Sequence, residues 1–198
     1  MFITFEGVDG SGKTTQVRLL AEYLRGEGRD VVDTREPGGT ALGEQVRDLL
    51  LHSDRVAPWA EASLFTAARA QLVDEVIRPA LARGADVLCD RYIDSSLAYQ
   101  GLARGLGVER VLEVNLVATA GLLPDRTFLL LLPPEDAAGR RNAKPDRIES
   151  EGEDFAAEVD RAYRKLAEMF GERMVVLDGT KPPETVAELI RGSVRDLS

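Results

Sequence analysis

The residues Gly7-Val8-Asp9-Gly10-Ser11-Gly12-Lys13-Thr14 match the P-loop pattern, in which a glycine is followed by four residues and then by glycine, lysine and serine or threonine. The residues before them, Phe2-Ile3-Thr4-Phe5, are typical of a short buried strand, and Val17, Leu20 and Leu24 after them repeat at the spacing of one helix face. The glycines therefore stand where a strand turns into a helix, and there backbone N–H groups can approach a phosphate closely. A glycine-rich turn that fits by chance is the alternative, but the flanking strand and helix favour a nucleotide site.

Two P-loop side chains have defined tasks in this pattern. Lys13 would reach the β- and γ-phosphates, and the Thr14 hydroxyl would bind Mg²⁺. Asp90 closes a buried strand later in the chain, where P-loop proteins place a carboxylate that helps to hold the metal. The alternative for Asp90 is a cap on the following helix, but its place on the sheet favours the metal site.

The composition limits the kinds of partner. The 198 residues carry a formal net charge of −9, which argues against a nucleic-acid polymer because a phosphate backbone requires a basic face. No targeting segment is predicted, and the longest apolar run, 128–132, is too short to span a membrane. The single cysteine, Cys89, lies in an apolar run and suits the core of a cytoplasmic protein. Phosphate chemistry must therefore use local clusters of arginine and lysine.

Strand and helix patterns alternate along the chain. The predicted strands cover residues 2–5, 30–34, 86–89, 126–132 and 174–177. A long helical pattern from about residue 58 to 83 contains Pro79, which predicts a kink or break near Arg78. The alternation predicts an α/β fold: a P-loop NTPase-type three-layer α/β/α sandwich with a central parallel sheet of about five strands and a short lid segment, in a single domain over 1–198.

Charged residues follow the second and third predicted strands, and ligands bind at the carboxyl ends of strands in such sheets. Arg35 would contact a phosphate, and Glu36 is a candidate for binding Mg²⁺-bound water; a simple polar turn is the alternative. The bond before Pro37 is a candidate for the cis form. Arg91 is suited to bind a phosphate through two parallel hydrogen bonds, because its guanidinium is planar and permanently charged. The alternative is that Arg91 is a solvated arginine.

A candidate base pocket comes from helical patterns. Phe65 and Arg69 are four residues apart on one helix face. They fit a ring that stacks on a base beside a guanidinium that reads its edge, or a core aromatic beside a surface arginine. The residues that would complete the pocket follow Arg91: Ser95, Ser96, Tyr99 and Gln100. The basic residues of 135–153, in a chain that is acidic overall, favour a lid that closes over phosphates rather than a surface loop.

With these motifs in this order, the chain resembles the thymidylate kinase (dTMP kinase) family over essentially its whole length. The motifs that carry the resemblance are the P-loop with Asp9, residues 35–40, residues 65–69, Asp90-Arg91-Tyr92 with residues 95–100, and Asp146-Arg147-Ile148-Glu149. The resemblance implies transfer of the ATP γ-phosphoryl group to dTMP with Mg²⁺, and a homodimer packed through helices away from the site.

The resemblance also implies roles for individual residues. Phe65 would stack on thymine, Arg69 would read its O4, and Tyr99 would pack under the sugar. The implied dTMP-binding residues are Asp9, Arg35, Phe65, Arg69, Arg91, Ser95, Ser96, Tyr99 and Gln100. The implied ATP-binding residues are Gly7, Val8, Asp9, Gly10, Ser11, Gly12, Lys13, Thr14, Thr15 and, in a turn near the adenine, Lys181. The implied metal-site residues are Thr14, Asp90 and Glu36.

Some family members carry a catalytic arginine in the P-loop, at the place where this chain has Gly10. The resemblance therefore implies that the lid supplies the positive charge. The implied catalytic residues are Lys13, Arg91 and the lid candidates Arg140, Arg141 and Arg147.

Two rival interpretations remain at the level of the sequence. Another small-molecule P-loop kinase would share the phosphate site but not the predicted pyrimidine pocket. A regulatory GTPase would require an Asn-Lys-x-Asp motif near the later strands, and the sequence contains none.

Overall fold

The computed structural model describes residues 1–140 and 146–197. Its five strands form one parallel sheet in the order β2-β3-β1-β4-β5. The strands are β1 Phe2–Glu6, β2 Val31–Arg35, β3 Asp86–Asp90, β4 Arg126–Leu131 and β5 Met174–Asp178. The predicted central parallel sheet is confirmed, and each observed strand lies within one residue of its predicted bounds.

Helices occupy most of the remaining described chain. The α-helices are α1 Lys13–Gly26, α2 Ala41–His52, α3 Pro58–Leu72, α4 Arg78–Ala82, α5 Ile93–Ser96, α6 Val108–Ala118, α7 Pro134–Gly139, α8 Glu153–Met169 and α9 Pro183–Arg195. Thr40 caps α2, because its side-chain oxygen accepts a hydrogen bond from the Gly43 N–H at 2.9 Å. Within the described residues, no helix combines the length and apolar character needed to cross a membrane.

The alternation of side chains along β1 builds the three layers. Ile3 and Phe5 point to one face of the sheet and pack with the apolar sides of α1 and α9. Phe2 points to the other face and packs with Tyr92 and the helices around α3, α6 and α8. Because both faces are covered, the strands read as nearly continuous apolar runs, which is the pattern expected of a buried parallel sheet.

The predicted break near Arg78 takes the form of a π-helical turn that interrupts the α-helix. Val73–Ile77 is π-helical and joins α3 to α4, in which Pro79 occupies the first turn. Proline has no N–H to donate and its ring crowds the preceding turn, so a wider turn before it relieves both problems. A second π-helical segment, Leu97–Ala103, continues α5, and the sequence pattern did not predict it.

The sheet brings the charged strand ends together. In the parallel register Phe5 pairs with Asp90, and Asp90 pairs with Arg35. The P-loop after β1, the loop after β2 and the turn after β3 therefore meet at one edge of the sheet, as predicted. The Glu36–Pro37 peptide bond in the β2 loop is cis, and Cys89 is fully buried, so both expectations are confirmed.

Candidate active site

The P-loop glycines are required by both backbone angle and space. Gly7, Gly10 and Gly12 have φ values of +134°, +87° and +96°. A Cβ atom on Gly7 would lie 2.4 Å from the Leu130 carbonyl oxygen, and one on Gly10 would lie 2.6 Å from the Ala137 carbonyl oxygen. The place where some P-loops carry an arginine is therefore filled in this chain by the backbone of α7.

Lys13 begins α1 and is held inside the loop. Its ammonium donates to the Val8 carbonyl at 2.9 Å and lies 3.8 Å from the Asp9 carboxylate. Burial, and then the nearby positive charge of Arg91, lower the pKa of Lys13. A phosphate in the loop would restore the favourable environment that this cation lacks.

The oxygens of Thr14 and Asp90 fit a Mg²⁺ site. The Thr14 hydroxyl donates to Asp90 Oδ2 at 2.6 Å, and both residues line the cavity above the P-loop. Mg²⁺ in kinases is bound by one or two protein oxygens together with substrate phosphates and water. Among the described residues no group of three or more His, Cys, Asp or Glu is placed to hold a metal ion by itself.

Glu36 differs from the other two predicted metal residues because it is buried in an ion pair. Arg69 donates to its Oε2 from Nε at 2.8 Å, and Arg69 Nη2 lies 2.6 Å from the same oxygen. Glu36 Oε1 is also buried and has no hydrogen-bond partner among the described residues. Desolvation by burial raises the pKa of Glu36 to about 7, although Arg69 opposes the shift. This geometry fits an acceptor for a bound water better than a direct metal ligand.

Two cavities meet above the sheet edge. The P-loop cavity, of about 900 Å³, is lined by Asp9 to Gln16, Arg35, Asp90, Arg140 and the turn at Lys181. The aromatic cavity, of about 100 Å³, is lined by Phe65, Ser95, Ser96, Tyr99 and Gln100. Their common wall consists of four residues: Asp9, Glu36, Arg47 and Arg91. A phosphate at this wall would face both cavities.

Arg91 is the most constrained cation of the site. It has φ of +71°, an unusual angle for a residue with a side chain. Its Nη2 donates to Asp9 at 2.7 Å, and its Nη1 donates to the Ser95 hydroxyl at 3.1 Å and the Tyr163 hydroxyl at 3.2 Å. The guanidinium also lies 5.5 Å from the centre of the Tyr99 ring. These contacts fix the Arg91 guanidinium at the common wall.

A buried carboxylate that the sequence analysis missed supports this arrangement. Glu6, at the end of β1, accepts hydrogen bonds from the Ser95 hydroxyl at 2.6 Å and the Tyr163 hydroxyl at 2.9 Å. It also accepts from the Tyr92 N–H at 2.8 Å. Burial, and then the nearby Asp94 carboxylate, raise the pKa of Glu6. The residue directly before a P-loop glycine reads as the end of a strand, so the pattern gave no functional signal for it.

Arg69 is not where the sequence analysis expected it. It is 1% exposed, lies beneath the aromatic cavity and does not line it. Its Nε donates to Glu36, its Nη1 donates to the Ser96 hydroxyl and the Asn115 side chain, and its Nη2 donates to the Tyr92 carbonyl. In this structure Arg69 reaches the lining of the aromatic cavity through Ser96, and its contact with the O4 of a base stays a prediction.

The lid candidates separate into different positions. Arg140 lines the P-loop cavity and donates to the Gly179 carbonyl at 3.0 Å. Arg147 instead donates to Glu61 at 2.7 Å and to the Leu50 carbonyl at 2.8 Å, and it lines neither cavity. Arg141 lies outside the described residues.

The other predicted residues are brought to the cavities, with small differences. Arg35 lines only the P-loop cavity, where Glu44 holds its Nη2 at 2.9 Å. Gly7 and Val8 shape the loop without lining the cavity. Arg47 of α2 was missed, although it lines both cavities, because a single arginine in an amphipathic helix pattern is usually a solvated residue.

Comparison with known proteins shows which family this chain resembles. The sequence model of the thymidylate kinase family matches residues 5–190. The chain is 47% identical to thymidylate kinase of Caldanaerobacter subterraneus subsp. tengcongensis, over 98% of this chain and 95% of that protein. It is 48% identical to thymidylate kinase of Bifidobacterium longum, over 100% of this chain and 98% of that protein. The crystal structure of thymidylate kinase from Ehrlichia chaffeensis superimposes with a TM-score of 0.83 at 33% identity, over 98% of both chains.

Proposed function

Because this chain belongs to the thymidylate kinase family, we infer that it phosphorylates dTMP to dTDP, and we propose that ATP and Mg²⁺ occupy the P-loop cavity while dTMP occupies the aromatic cavity. The observation that carries the placement is the common wall of the two cavities. A guanidinium fixed at that wall, that of Arg91, reaches a phosphate from either side. The two substrates would then meet end to end, as in-line transfer requires.

The site needs no general base. The acceptor is a phosphate oxygen, which is largely ionised at neutral pH because the second pKa of a phosphate monoester is about 6. The barrier is electrostatic, since two polyanions must approach while charge spreads over the transferred group. Asp9 therefore acts as an orienting group: it holds Arg91 and lies beside Lys13.

The cations supply the opposing charge. Lys13 and the P-loop amides would hold the donor phosphates, and Arg91, Arg35 and Arg47 would hold the acceptor phosphate near the common wall. Arg140 is the described lid arginine that faces the donor side. Mg²⁺, held by Thr14 and Asp90, would neutralise charge on the donor phosphates when bound.

The aromatic cavity accounts for the nucleoside. Phe65 would stack on the pyrimidine, and Tyr99 would pack under the deoxyribose, where a ribose 2′-hydroxyl would crowd it. Ser96 would face the base edge. A guanidinium can only donate, so the Ser96 oxygen accepts from Arg69 at 3.0 Å. The hydrogen of the Ser96 hydroxyl would then be available to donate to the base. Arg69 would thus act on the base through Ser96.

We also propose a cytoplasmic homodimer, with residues 1–198 as one kinase domain and the lid at about 135–153. The helix α6 exposes Val114 and Val117 by 43% and 79%, on one face and away from the cavities. Adjacent exposed apolar side chains favour an interface.

The decisive experiment is a coupled ADP-release assay with ATP, Mg²⁺ and a panel of nucleoside monophosphates. The proposal expects dTMP to have the highest kcat/KM. A preference for adenylate, cytidylate or a monophosphate outside the pyrimidines would overturn the substrate assignment. Omission of Mg²⁺ with added EDTA tests the metal separately, and unchanged turnover would overturn that part alone.

A further inference from the structure

One amide in the aromatic cavity has a fixed orientation. Gln100 lies in the π-helical segment after α5, and its Nε2 donates to Glu61 Oε1 at 2.9 Å. The Gln100 side chain is 1% exposed, and its Oε1 accepts no hydrogen bond from the described residues. Since Gln100 lines the aromatic cavity, this oxygen is an acceptor offered to whatever the cavity holds.

The partner of this amide determines which end of it faces the cavity. Glu61 is 1% exposed and is bound by two arginines, Arg147 at 2.7 Å and Arg104 at 3.2 Å. Both arginines donate to this carboxylate, and a carboxylate paired with two guanidinium groups offers only acceptor oxygens to its other neighbours. Gln100 must therefore turn its NH₂ group toward Glu61 and its carbonyl toward the cavity.

An acceptor at this place discriminates between pyrimidines. Thymine and uracil carry an N3–H donor, whereas N3 of cytosine is an acceptor. A buried site built to accept a hydrogen bond strongly rejects a group that cannot donate, because two acceptors then face each other without a proton. We propose that Glu61 is a specificity-determining positioning residue, which acts through Gln100 and makes the cavity select pyrimidines with a protonated N3. This inference rests on the proposed function, because it requires a nucleobase in the aromatic cavity.

The test replaces Glu61 with its neutral isostere. In Glu61→Gln the partner can both donate and accept, so the Gln100 amide is free to turn over. We expect the ratio of kcat/KM for dTMP to that for dCMP to fall about tenfold or more, through a higher KM for dTMP and measurable use of dCMP. The KM for ATP and the kcat with dTMP should stay within about twofold, because Glu61 does not touch the phosphates.

A matched control separates this role from simple loss of charge. Glu151 binds the same Arg104 through two contacts of 2.5 and 2.7 Å and lies 3.8 Å from Arg147, but it does not contact Gln100. Glu151→Gln should leave the dTMP to dCMP ratio unchanged. An equal fall of the ratio in both variants would overturn the inference, because the effect would then come from the arginines.

A double-mutant cycle tests the route through Gln100. In the isosteric variant Gln100→Met, a further Glu61→Gln change should leave the ratio unaltered, because the amide that Glu61 positions is gone. A full effect of Glu61→Gln in that background, or none in the natural one, would overturn the inference. If the unmodified protein itself fails to use dTMP, the proposed function has failed instead, so the two failures are distinguishable.

Discussion

Lys13 shows how a single side chain is prepared for an anion. Its side chain is 6% exposed, and among the described residues the ammonium donates to the Val8 carbonyl and lies 3.8 Å from Asp9. We expect Lys13→Ala to lower kcat about 10²- to 10³-fold, because the transition state loses a preorganised charge. Coupled ADP release measures the effect, and circular dichroism should show an unchanged fold. The exposed Lys165→Ala is the matched control, and a loss of activity there equal to that of Lys13→Ala would contradict the assigned role.

Glu36 gives the site a pH dependence whose sign can be worked out. Burial raises its pKa from 4.5 to about 7, so the folded protein binds this proton more tightly than the unfolded chain. The stabilising contribution is complete below about pH 4.5 and is lost as the pH rises through about 7. We expect the unfolding free energy of the natural protein, relative to Glu36→Gln, to fall by of the order of 3 kcal/mol over that range. Urea unfolding at a series of pH values measures it.

Glu151 serves as a control, because its contribution to the unfolding free energy should change with pH in the opposite direction. The hydrogen bond from Arg104 lowers the pKa of Glu151, so its contribution is present above its ordinary pKa and is lost as the pH falls. The same comparison with Glu151→Gln should therefore slope the other way. Parallel slopes for the two variants would show that the Glu36 effect belongs to the whole molecule.

At the residue scale, the sequence predicted which side chains are charged candidates for the site better than it predicted their ion-pair partners. Arg69 and Arg147 were selected as site candidates from sequence patterns, but those patterns did not show that each arginine pairs with a buried acid, Glu36 and Glu61 respectively. Both acids lie far from their arginines in sequence. Such pairs depend on how helices pack, which no local spacing encodes.

At the scale of elements, the strands could be predicted from the sequence, whereas the π-helical turns could not. The five strands followed from short apolar runs, because a parallel sheet buries both faces of each strand. The segments Val73–Ile77 and Leu97–Ala103 did not, because a π-helical turn differs from an α-helix by one residue of register and leaves no periodicity of its own.

The P-loop and α7 form one packed unit, and two glycines test it. Gly10 and Gly28 have similar positive φ values of +87° and +80°, but a Cβ on Gly10 would lie 2.6 Å from the Ala137 carbonyl, whereas one on Gly28 would meet nothing within 4 Å. We expect Gly28→Ala to cost about 1 kcal/mol of stability with normal kinetics. Gly10→Ala should add the displacement of α7 and lower kcat/KM at least about tenfold. Equal kinetics in the two variants would contradict this packing.

The lid arginines are predicted to have separable effects. Arg140 faces the P-loop cavity, so Arg140→Ala should lower kcat about tenfold to 100-fold with little change in KM for dTMP. Arg147 joins the lid segment to Glu61 and α2, so Arg147→Ala should mainly raise KM for dTMP. Steady-state kinetics with each substrate varied in turn distinguishes the two, and a fall in kcat confined to Arg147→Ala would reverse the assignment.

At the scale of the whole molecule, the strand order explains why the site could be anticipated. With β1 between β3 and β4, the loops after β1, β2 and β3 open at the same edge, and a P-loop at the first of them fixes where the phosphates lie. What remained beyond prediction is the common wall itself. Arg47 reaches it from α2, and its place depends on the packing of α2 against α3 through Val46, Leu50 and Ala68.

The last prediction concerns assembly. If α6 forms the dimer interface, a charge at its most exposed apolar side chain, Val117→Arg, would be buried without a partner and should weaken association about 100-fold or more. Light scattering after size exclusion should give twice the 21.6 kDa chain mass for the natural protein and a single chain for the variant. Leu189→Arg on α9, at 48% exposure on the opposite layer, is the matched control and should remain dimeric. A dimer that survives Val117→Arg but dissociates with Leu189→Arg would move the interface to the other face of the sheet.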